Sequence, residues 1–486
     1  MKKAVIIGAG LGGLQCGYIL AQNGYEVTIL EKHSQAGGCL QSFRRKGFSF
    51  DTGFHYVGGM GEGESLHRLF EYFHLLDLQW VRMDNDCFDE VVIGDESFSL
   101  ASGYDSFVET LAQRFPSERR GLERYVATLK NIGEHIFDVA NDPINEAFET
   151  GAYAFLTNTI GDPLLRKVLS GSSLKMNLCA ETLPLYVFAQ INNSFIQSSW
   201  RLKGGGTALV QSLENSIRES GGTVLTKAEV TALKEENGMV KAAEINGEEL
   251  LEADVFLSDL HPDSTLSLID ATGSKVRPIY RKRIAALRNA FGMFTANILL
   301  KPGKMNYLNR NVFVHSADED LWHPSLAQTR SVMVHFYPET YPDGSARAID
   351  LLSPMDMSLL EKWTDTTIGH RGDEYEKLKA QKAQACIDHV AKRFPELKDA
   401  IDSVFTSTPL TYLDYTGTPD GSAYGICKDF NNPAGTIISP QTSLPNLFLT
   451  GQNLNLHGIL GTSITSFLTA AAVIGQRPSF PKNNGL

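Results

Sequence analysis

The sequence contains few cysteines, and none of them form a closely spaced pair. Its six cysteines are scattered through 486 residues without a C-x-x-C pattern, so neither a zinc site nor a disulfide framework is indicated, and we predict no metal site. Free cysteines suit a reducing compartment. We therefore expect a cytoplasmic protein.

A long hydrophobic run is also lacking. The apolar residues that follow Lys3 are interrupted by glycines within a few positions, so no signal peptide is predicted. Residues 430–476 carry no Asp, Glu, Lys or Arg, but their prolines, amides and hydroxyls leave no apolar stretch of about 18 residues. We predict no transmembrane helix.

Positive charge is in short supply as well. The chain has 44 basic and 56 acidic residues, a formal net charge of -12, which argues against a nucleic-acid partner and against a strongly anionic membrane surface. The length exceeds what one ordinary core accommodates, so we expect two or three structural units.

What the sequence does contain is a dinucleotide-binding pattern at its N-terminus. Residues 4–7 are a short apolar run that predicts a buried parallel strand. Gly8, Gly10 and Gly13 then satisfy G-x-G-x-x-G, where the glycines permit a tight turn, backbone approach to a pyrophosphate and close helix–strand contact. A second predicted strand ends at Glu31, whose carboxylate is placed to accept hydrogen bonds from a ribose diol.

This pattern alone leaves NAD, NADP and FAD open. A carboxylate at Glu31 disfavours the 2′-phosphate of NADP. Gly37 and Gly38 offer a second close backbone approach that NAD-binding units do not usually need. Beyond them the chain turns to short strand-like pieces and helical periodicity instead of completing a six-stranded parallel sheet. FAD is therefore the favoured cofactor.

The cofactor-binding pattern resumes in residues 202–259. Residues 207–220 predict a helix and residues 224–226 a strand, followed by a small β-meander with turns at Asn237-Gly238 and Asn246-Gly247. The backbone near Val230 is placed to hold an adenine edge, although plain β-structure without a ligand explains the turns equally well.

The last part of the pattern lies near the C-terminus. Residues 447–449 predict a strand, and a helix of small residues begins near Gly458. The free amides and positive dipole at that helix start suit the pyrimidine end of a flavin. An ordinary core helix remains the alternative.

Four segments resemble a known family: "AGGCLQSF", "FDTGFHYVGGMGEGE", "GSAYG" and "LPNLFLTGQNLNLHGILG". With residues 202–259 between them, the chain resembles the flavin-dependent family of phytoene desaturases, carotenoid isomerases and retinol saturases. The resemblance implies an α/β fold, with a glutathione-reductase-like FAD-binding Rossmann domain and an interleaved α+β substrate domain like that of amine oxidases and phytoene desaturases. We expect the FAD-binding domain in residues 1–68, 201–274 and 413–486, and the substrate domain in residues 69–200 and 275–412.

The resemblance also implies non-covalent FAD and a set of residues around it. The residues predicted to bind FAD are Gly8, Gly10, Gly12, Gly13, Glu31, Lys32, Gly38, Cys39, Gly53, Val230, Gly451, Gln452, Gly458, Ile459 and Leu460. Many amine oxidases have arginine where this chain has Cys39, which puts amine oxidation in doubt. No second G-x-G-x-x-G is present, so the electron donor or acceptor is unknown.

The implied substrate is a long apolar polyene, carotenoid- or retinoid-like, held in an apolar tunnel. The predicted activity is that of an FAD-dependent oxidoreductase of the CH-CH type, which saturates or desaturates a carbon–carbon bond by hydride transfer through the flavin. Saturation also needs a proton at the neighbouring carbon, and we predict His55 or Tyr424 as its donor. A neutral, purely structural imidazole is the alternative for His55.

Other functions stay open at this point. The alternatives are a flavin amine oxidase, a polyene cis/trans isomerase that uses reduced FAD, and a non-catalytic carrier that has kept the fold. Because an apolar substrate has to be collected from a bilayer, we also expect peripheral membrane contact through an apolar patch at the tunnel mouth.

Overall fold

A computed structural model describes residues 1–136 and 142–475 of the chain. Its strands, in chain order, are β1 (Lys2–Ile7), β2 (Tyr25–Glu31), β3 (Ser42–Arg45), β4 (Phe48–Asp51), β5 (Val57–Gly58), β6 (Trp80–Arg82), β7 (Asp89–Ile93), β8 (Glu96–Leu100), β9 (Ser199–Leu202), β10 (Thr223–Thr226), β11 (Val230–Glu236), β12 (Met239–Ile245), β13 (Glu249–Glu252), β14 (Val255–Ser258), β15 (Gly292–Leu300), β16 (Asn311–His315), β17 (Ser331–Phe336), β18 (Ala348–Met355), β19 (Ile401–Ser407) and β20 (Leu447–Leu449).

Helices connect these strands and cover their faces. In chain order they are α1 (Leu11–Gln22), α2 (Ser65–Tyr72), α3 (Tyr104–Arg114), α4 (Arg119–Glu134), α5 (Asp142–Glu149), α6 (Ala152–Thr159), α7 (Pro163–Gly171), α8 (Leu185–Gln197), α9 (Gly205–Glu219), α10 (Pro262–Ser267), α11 (Pro278–Ala285), α12 (Asp373–Val390), α13 (Leu397–Ala400), α14 (Pro409–Thr416), α15 (Pro433–Thr436) and α16 (Gly458–Ile474). Among the described residues, no helix combines the length and the apolar character that crossing a bilayer requires.

A five-stranded parallel sheet is built from three distant parts of the chain. Its order is β10-β2-β1-β14-β20, and all four pairings are parallel. Along β1, Ala4 and Ile6 pack on one face with α1, α9 and α16, whereas Val5 and Ile7 pack on the other with the meander β11-β12-β13. Both faces are covered, which is why β1 is a continuous apolar run. The predicted strands, meander and returning strand β14 are confirmed.

A second, seven-stranded sheet has the order β19-β15-β18-β17-β16-β7-β8. All its pairings are antiparallel except that of β16 with β7. One face packs against helices α3 to α8, and α12 covers the other face. This sheet and helix α8 in front of it supply part of the wall of the cavity described below.

The two large sheets are built from different segments of the chain. Strands of the parallel sheet all fall within residues 1–68, 201–274 and 413–486, and those of the seven-stranded sheet within 69–200 and 275–412. The small sheet β5-β9-β6 crosses the boundary between the two sets. We keep these ranges as a proposal.

Candidate functional site

A cavity of about 500 Å³ begins at the carboxyl edge of the parallel sheet. Since β1 and β2 pair in register, with Ile7 opposite Leu30, the turn after β1 and the acidic residue ending β2 lie side by side at this edge. Helix α1 starts in the cavity wall after Gly10, which has no side chain to cap the amides of Leu11 and Gly12. Uncapped amides at a helix N-terminus are a binding site for phosphate groups.

Glu31 lies in the cavity wall with its carboxylate held by the backbone. One oxygen accepts a hydrogen bond from the Ala9 amide at 3.0 Å, and the other accepts one from the His33 amide at 2.9 Å. A carboxylate has about four acceptor positions, so each oxygen keeps capacity for one more donor. The fixed carboxylate can therefore still accept the two hydroxyls of a ribose.

Asp259, which the sequence analysis did not select, is the second carboxylate at this edge. It directly follows β14, and its side chain accepts a hydrogen bond from the amide of Gly13, the third residue of α1. Burial, with a smaller contribution from the charge of Glu31, raises its pKa to about 7. An acidic residue at the carboxyl end of a predicted parallel strand was the available signal.

Asp259 also explains why three of the predicted glycines are needed. A Cβ atom added at Gly10, Gly12 or Gly451 would collide with its carboxylate, and at Gly12 it would also lie 2.9 Å from the Gly451 Cα. At Gly13 an added Cβ would instead collide with the Gly8 carbonyl oxygen, where α1 packs on β1. These glycines allow close packing around one acid.

The structure brings most of the predicted cofactor residues to one cavity. Those that line it are Gly8, Gly10, Gly12, Glu31, Lys32, Gly38, Cys39, Gly53, Val230, Gln452, Gly458, Ile459 and Leu460. Gly13 and Gly451 do not line it but pack directly behind it. Burial raises the pKa of the Cys39 thiol to about 11, so this cysteine stays protonated and unreactive at neutral pH.

The far end of the cavity lies at the start of α16. His457 precedes this helix without capping it through its side chain, and Gly458 has a φ of +75°, which favours glycine. The His457 Nε2 atom lies 3.1 Å from the Lys175 carbonyl oxygen. Burial lowers the pKa of His457 to about 4, so its imidazole is neutral at neutral pH.

Both predicted proton donors, His55 and Tyr424, line the cavity. Burial lowers the pKa of His55 to about 4, and its Nε2 atom lies 3.9 Å from the Asp350 carboxylate. The Tyr424 hydroxyl donates to the Leu174 carbonyl oxygen, and burial raises its pKa. Their catalytic roles stay predictions.

One part of the cavity wall is largely apolar. Helix α8 and the seven-stranded sheet supply most of it, and its buried or half-buried members include Ile191, Phe195, Met293, Met333, Leu352 and Leu456. Such a wall offers few hydrogen bonds and suits an apolar ligand. Lys175 also lines the cavity and carries a side-chain ammonium.

The chain is similar to known proteins along most of its length. Residues 6–73 match the model of an NAD(P)-binding Rossmann-like domain. An all-trans-retinol 13,14-reductase of Danio rerio is 26% identical over 98% of this chain and 86% of its own. A chloroplastic prolycopene isomerase of an Oncidium hybrid cultivar is 23% identical over 97% of this chain and 83% of its own. The predicted resemblance is confirmed.

Other relatives and solved structures extend the likeness. A 4,4'-diapophytoene desaturase of Methylomonas sp is 25% identical over 51% of this chain and 53% of its own. An oxidoreductase from Methanosarcina mazei superposes with a TM-score of 0.65 at 17% identity over 98% of this chain and 100% of its own. A cyclohexylamine oxidase from Brevibacterium oxydans superposes with a TM-score of 0.61 at 14% identity, over 97% of this chain and 98% of its own. The predicted fold class is confirmed, and the match to an NAD(P)-binding Rossmann-like domain supports a dinucleotide cofactor.

Proposed function

We propose that the chain is an FAD-dependent oxidoreductase that acts on carbon–carbon bonds of a long apolar polyene. The observation that carries this proposal is a single cavity that runs from a dinucleotide-binding turn to an apolar wall. The relatives named as a retinol reductase, a carotenoid isomerase and a carotenoid desaturase support the same substrate class.

The residues present fit FAD. Glu31 is held in place for a ribose, the uncapped start of α1 is suited to the pyrophosphate, and the uncapped start of α16 is suited to the pyrimidine end of a flavin. When bound, FAD supplies the hydride chemistry, accepting or returning a hydride according to its electron partner.

The protein's own contribution is to bind, to orient and to exclude water. The apolar wall holds a polyene by shape and excludes water from the reacting bond. His55 and Tyr424 are the proposed proton donors, since both line the cavity. Tyr424 keeps its proton at neutral pH because burial raises its pKa, whereas His55 is neutral because burial lowers its pKa to about 4, so His55 can donate only a ring N–H. Conversion of His55 to alanine should then reduce saturation while leaving FAD bound.

The test is to incubate the holoenzyme anaerobically, in its oxidised and its pre-reduced form, with a panel of polyenes. We expect a change in the flavin absorbance together with a product two mass units lighter or heavier, as one hydrogen molecule lost or gained requires. An isomerase would instead give a product of unchanged mass. No polyene conversion, combined with flavin reduction by an amine such as cyclohexylamine, would contradict the proposal.

Peripheral membrane contact is part of the proposal, because a polyene partitions into the bilayer. Flotation with neutral liposomes tests this contact. We expect the protein to float in part, and complete recovery in the soluble fraction would contradict it.

A further inference from the structure

A buried ammonium group lies beside the apolar wall of the cavity. Lys175 follows α7, lines the cavity and keeps 9% of its side chain exposed. Its Nζ atom is 4.0 Å from the centre of the Phe195 ring and 5.6 Å from that of Tyr56. Burial lowers the pKa of this amine, and the charge of Asp89 opposes that shift.

The carboxylate of Asp89 holds the ammonium from behind. Asp89 is fully buried at the start of β7, and its Oδ2 atom lies 3.3 Å from the Lys175 Nζ. It also accepts hydrogen bonds from the Tyr56 hydroxyl at 2.8 Å and from the Asn311 amide at 3.1 Å. Three donors therefore satisfy the acid and fix its position.

The Lys175 ammonium makes fewer hydrogen bonds than the Asp89 carboxylate. An ammonium has three donors, and among the described residues only Asp89 accepts a hydrogen bond from Lys175. A hydrocarbon pressed against it would leave the remaining donors without acceptors in an apolar environment, which is costly. A ligand that brings an oxygen atom to this point removes that cost.

The charge of that oxygen is constrained by the pair itself. The ammonium is already paired with the Asp89 carboxylate, which also interacts with the buried Arg201 guanidinium. A second carboxylate would therefore have to share the Lys175 ammonium with Asp89 at low dielectric. A neutral acceptor, such as a hydroxyl, adds a hydrogen bond without adding charge. The site thus favours a neutral oxygen over both a hydrocarbon and an acid.

We propose that Lys175, held by Asp89, binds a neutral oxygen atom at one end of the polyene and so determines substrate specificity. This inference rests on the proposed function. It distinguishes oxygen-terminated polyenes from hydrocarbon polyenes, and both classes are represented among the names of the relatives.

The experiment measures equilibrium binding to the oxidised holoenzyme, without electron donor, by the absorbance of the polyene. Three polyenes of equal length are compared, with a methyl, a hydroxyl or a carboxylate end. We expect the alcohol to bind about tenfold more tightly than the hydrocarbon, as a hydrogen bond to a charged group implies, and also more tightly than the acid.

Two variants and a control locate the effect. Lys175→Met should weaken alcohol binding about tenfold and leave hydrocarbon binding unchanged or tighter. Asp89→Asn should raise the affinity for the acid relative to the alcohol, because it removes the competing negative charge. Lys130→Met changes an exposed lysine on α4 that pairs with Glu134, and it should change nothing. Circular dichroism and flavin absorbance show whether each variant is folded and holds its cofactor.

The outcomes separate the two proposals. Equal affinity of the wild-type protein for alcohol and hydrocarbon, or an equal loss of both in Lys175→Met, would overturn the role of Lys175 while leaving polyene chemistry standing. Failure of all three polyenes to bind to a folded, flavin-loaded protein would instead count against the proposed function.

Discussion

At the scale of single residues, Asp259 is the group that most constrains the cofactor site. Its ordinary pKa of 3.8 is raised to about 7 by burial, and its carboxylate lies over Gly10 and Gly12 at the start of α1. Bound pyrophosphate would add negative charge nearby, and this favours the protonated acid further. Cofactor binding and protonation of Asp259 are therefore linked.

This linkage predicts a pH dependence of FAD affinity. The neutral acid tolerates a pyrophosphate and the carboxylate repels it, so FAD affinity should fall as the pH rises through about 7, by at most about tenfold per pH unit for one linked proton. Titration of apoprotein with FAD, followed by flavin fluorescence, measures the slope. Asp259→Asn should bind FAD with a flatter profile and more tightly at high pH. An unchanged slope in this variant would assign the titration to another group.

The steric contact between Gly10 and the Asp259 carboxylate also predicts an effect on stability. Gly10→Ala adds a methyl group against the Asp259 carboxylate, with no other heavy atom within 4 Å, and should lower the free energy of unfolding by about 1–3 kcal/mol. In an Asp259→Ala background this cost should largely disappear, which a double-mutant cycle measures by denaturant unfolding. Gly13→Ala is the matched control, because its collision is with the Gly8 backbone and the same background should not relieve it.

At the scale of elements, two buried carboxyls connect β4, β18 and the start of α9. The Tyr337 hydroxyl donates to Asp350 at 2.7 Å and accepts from the Asp51 amide at 2.9 Å. The Asp51 carboxylate accepts the Gly206 amide at the start of α9. Burial raises the pKa of Asp51 to about 8 and that of Asp350 to about 7.

These shifts predict how stability depends on pH. Above the ordinary pKa of 3.8 the unfolded chain loses the Asp51 proton, while the folded protein keeps it up to about pH 8. The free energy of unfolding therefore falls as the pH rises through this window, by up to about 1.4 kcal/mol per pH unit for each such group. Denaturant unfolding of Asp51→Asn at several pH values measures this dependence. The free energy of unfolding of the variant should fall less steeply with pH, by about the contribution of one such group. A slope equal to that of the wild-type protein would show that Asp51 ionises normally.

Elements with a local signal could be predicted, and those without one could not. The turn after β1, Glu31, the meander and β20 follow from glycines, turn residues and apolar runs that lie close together in sequence. By contrast, every residue of β15 and of β17 is buried, since helices cover both faces, and the alternation that identifies a half-buried strand is absent. The seven-stranded sheet was therefore not predicted.

The site divides in the same way. The glycines of the N-terminal G-x-G-x-x-G and Glu31 belong to one short motif, whereas Lys175 and Asp89 are 86 positions apart and meet only through tertiary packing. Asp259 approaches Gly10 from the end of a strand nearly 250 positions later in sequence. Nothing in the neighbouring sequence indicates the partner of such a residue.

At the scale of the whole molecule, the cofactor-binding turns and the apolar wall come from different sheets. The turns follow strands of the parallel sheet, and Met293, Met333 and Leu352 project from the seven-stranded sheet. Cofactor affinity and substrate affinity should therefore be separable by mutation. Residues that alternate along β17 offer a matched pair for this purpose, because Met333 faces the cavity side and Val332 faces the core under α12.

Met333→Gln, a change of similar volume, places an amide without a hydrogen-bond partner in the polyene wall. Because an unpaired buried amide costs about 1–3 kcal/mol, we expect polyene affinity to fall about tenfold or more while the dissociation constant for FAD stays unchanged. Val332→Thr, which adds a polar atom on the opposite face of the same strand, should lower the unfolding free energy and leave both affinities as they are. FAD fluorescence and polyene absorbance titrations, with a denaturant unfolding curve for each variant, distinguish these effects. If both variants weakened FAD and polyene binding in parallel, the two parts of the cavity would be energetically coupled. The inference that the parallel sheet determines cofactor affinity and the seven-stranded sheet substrate affinity would then be wrong.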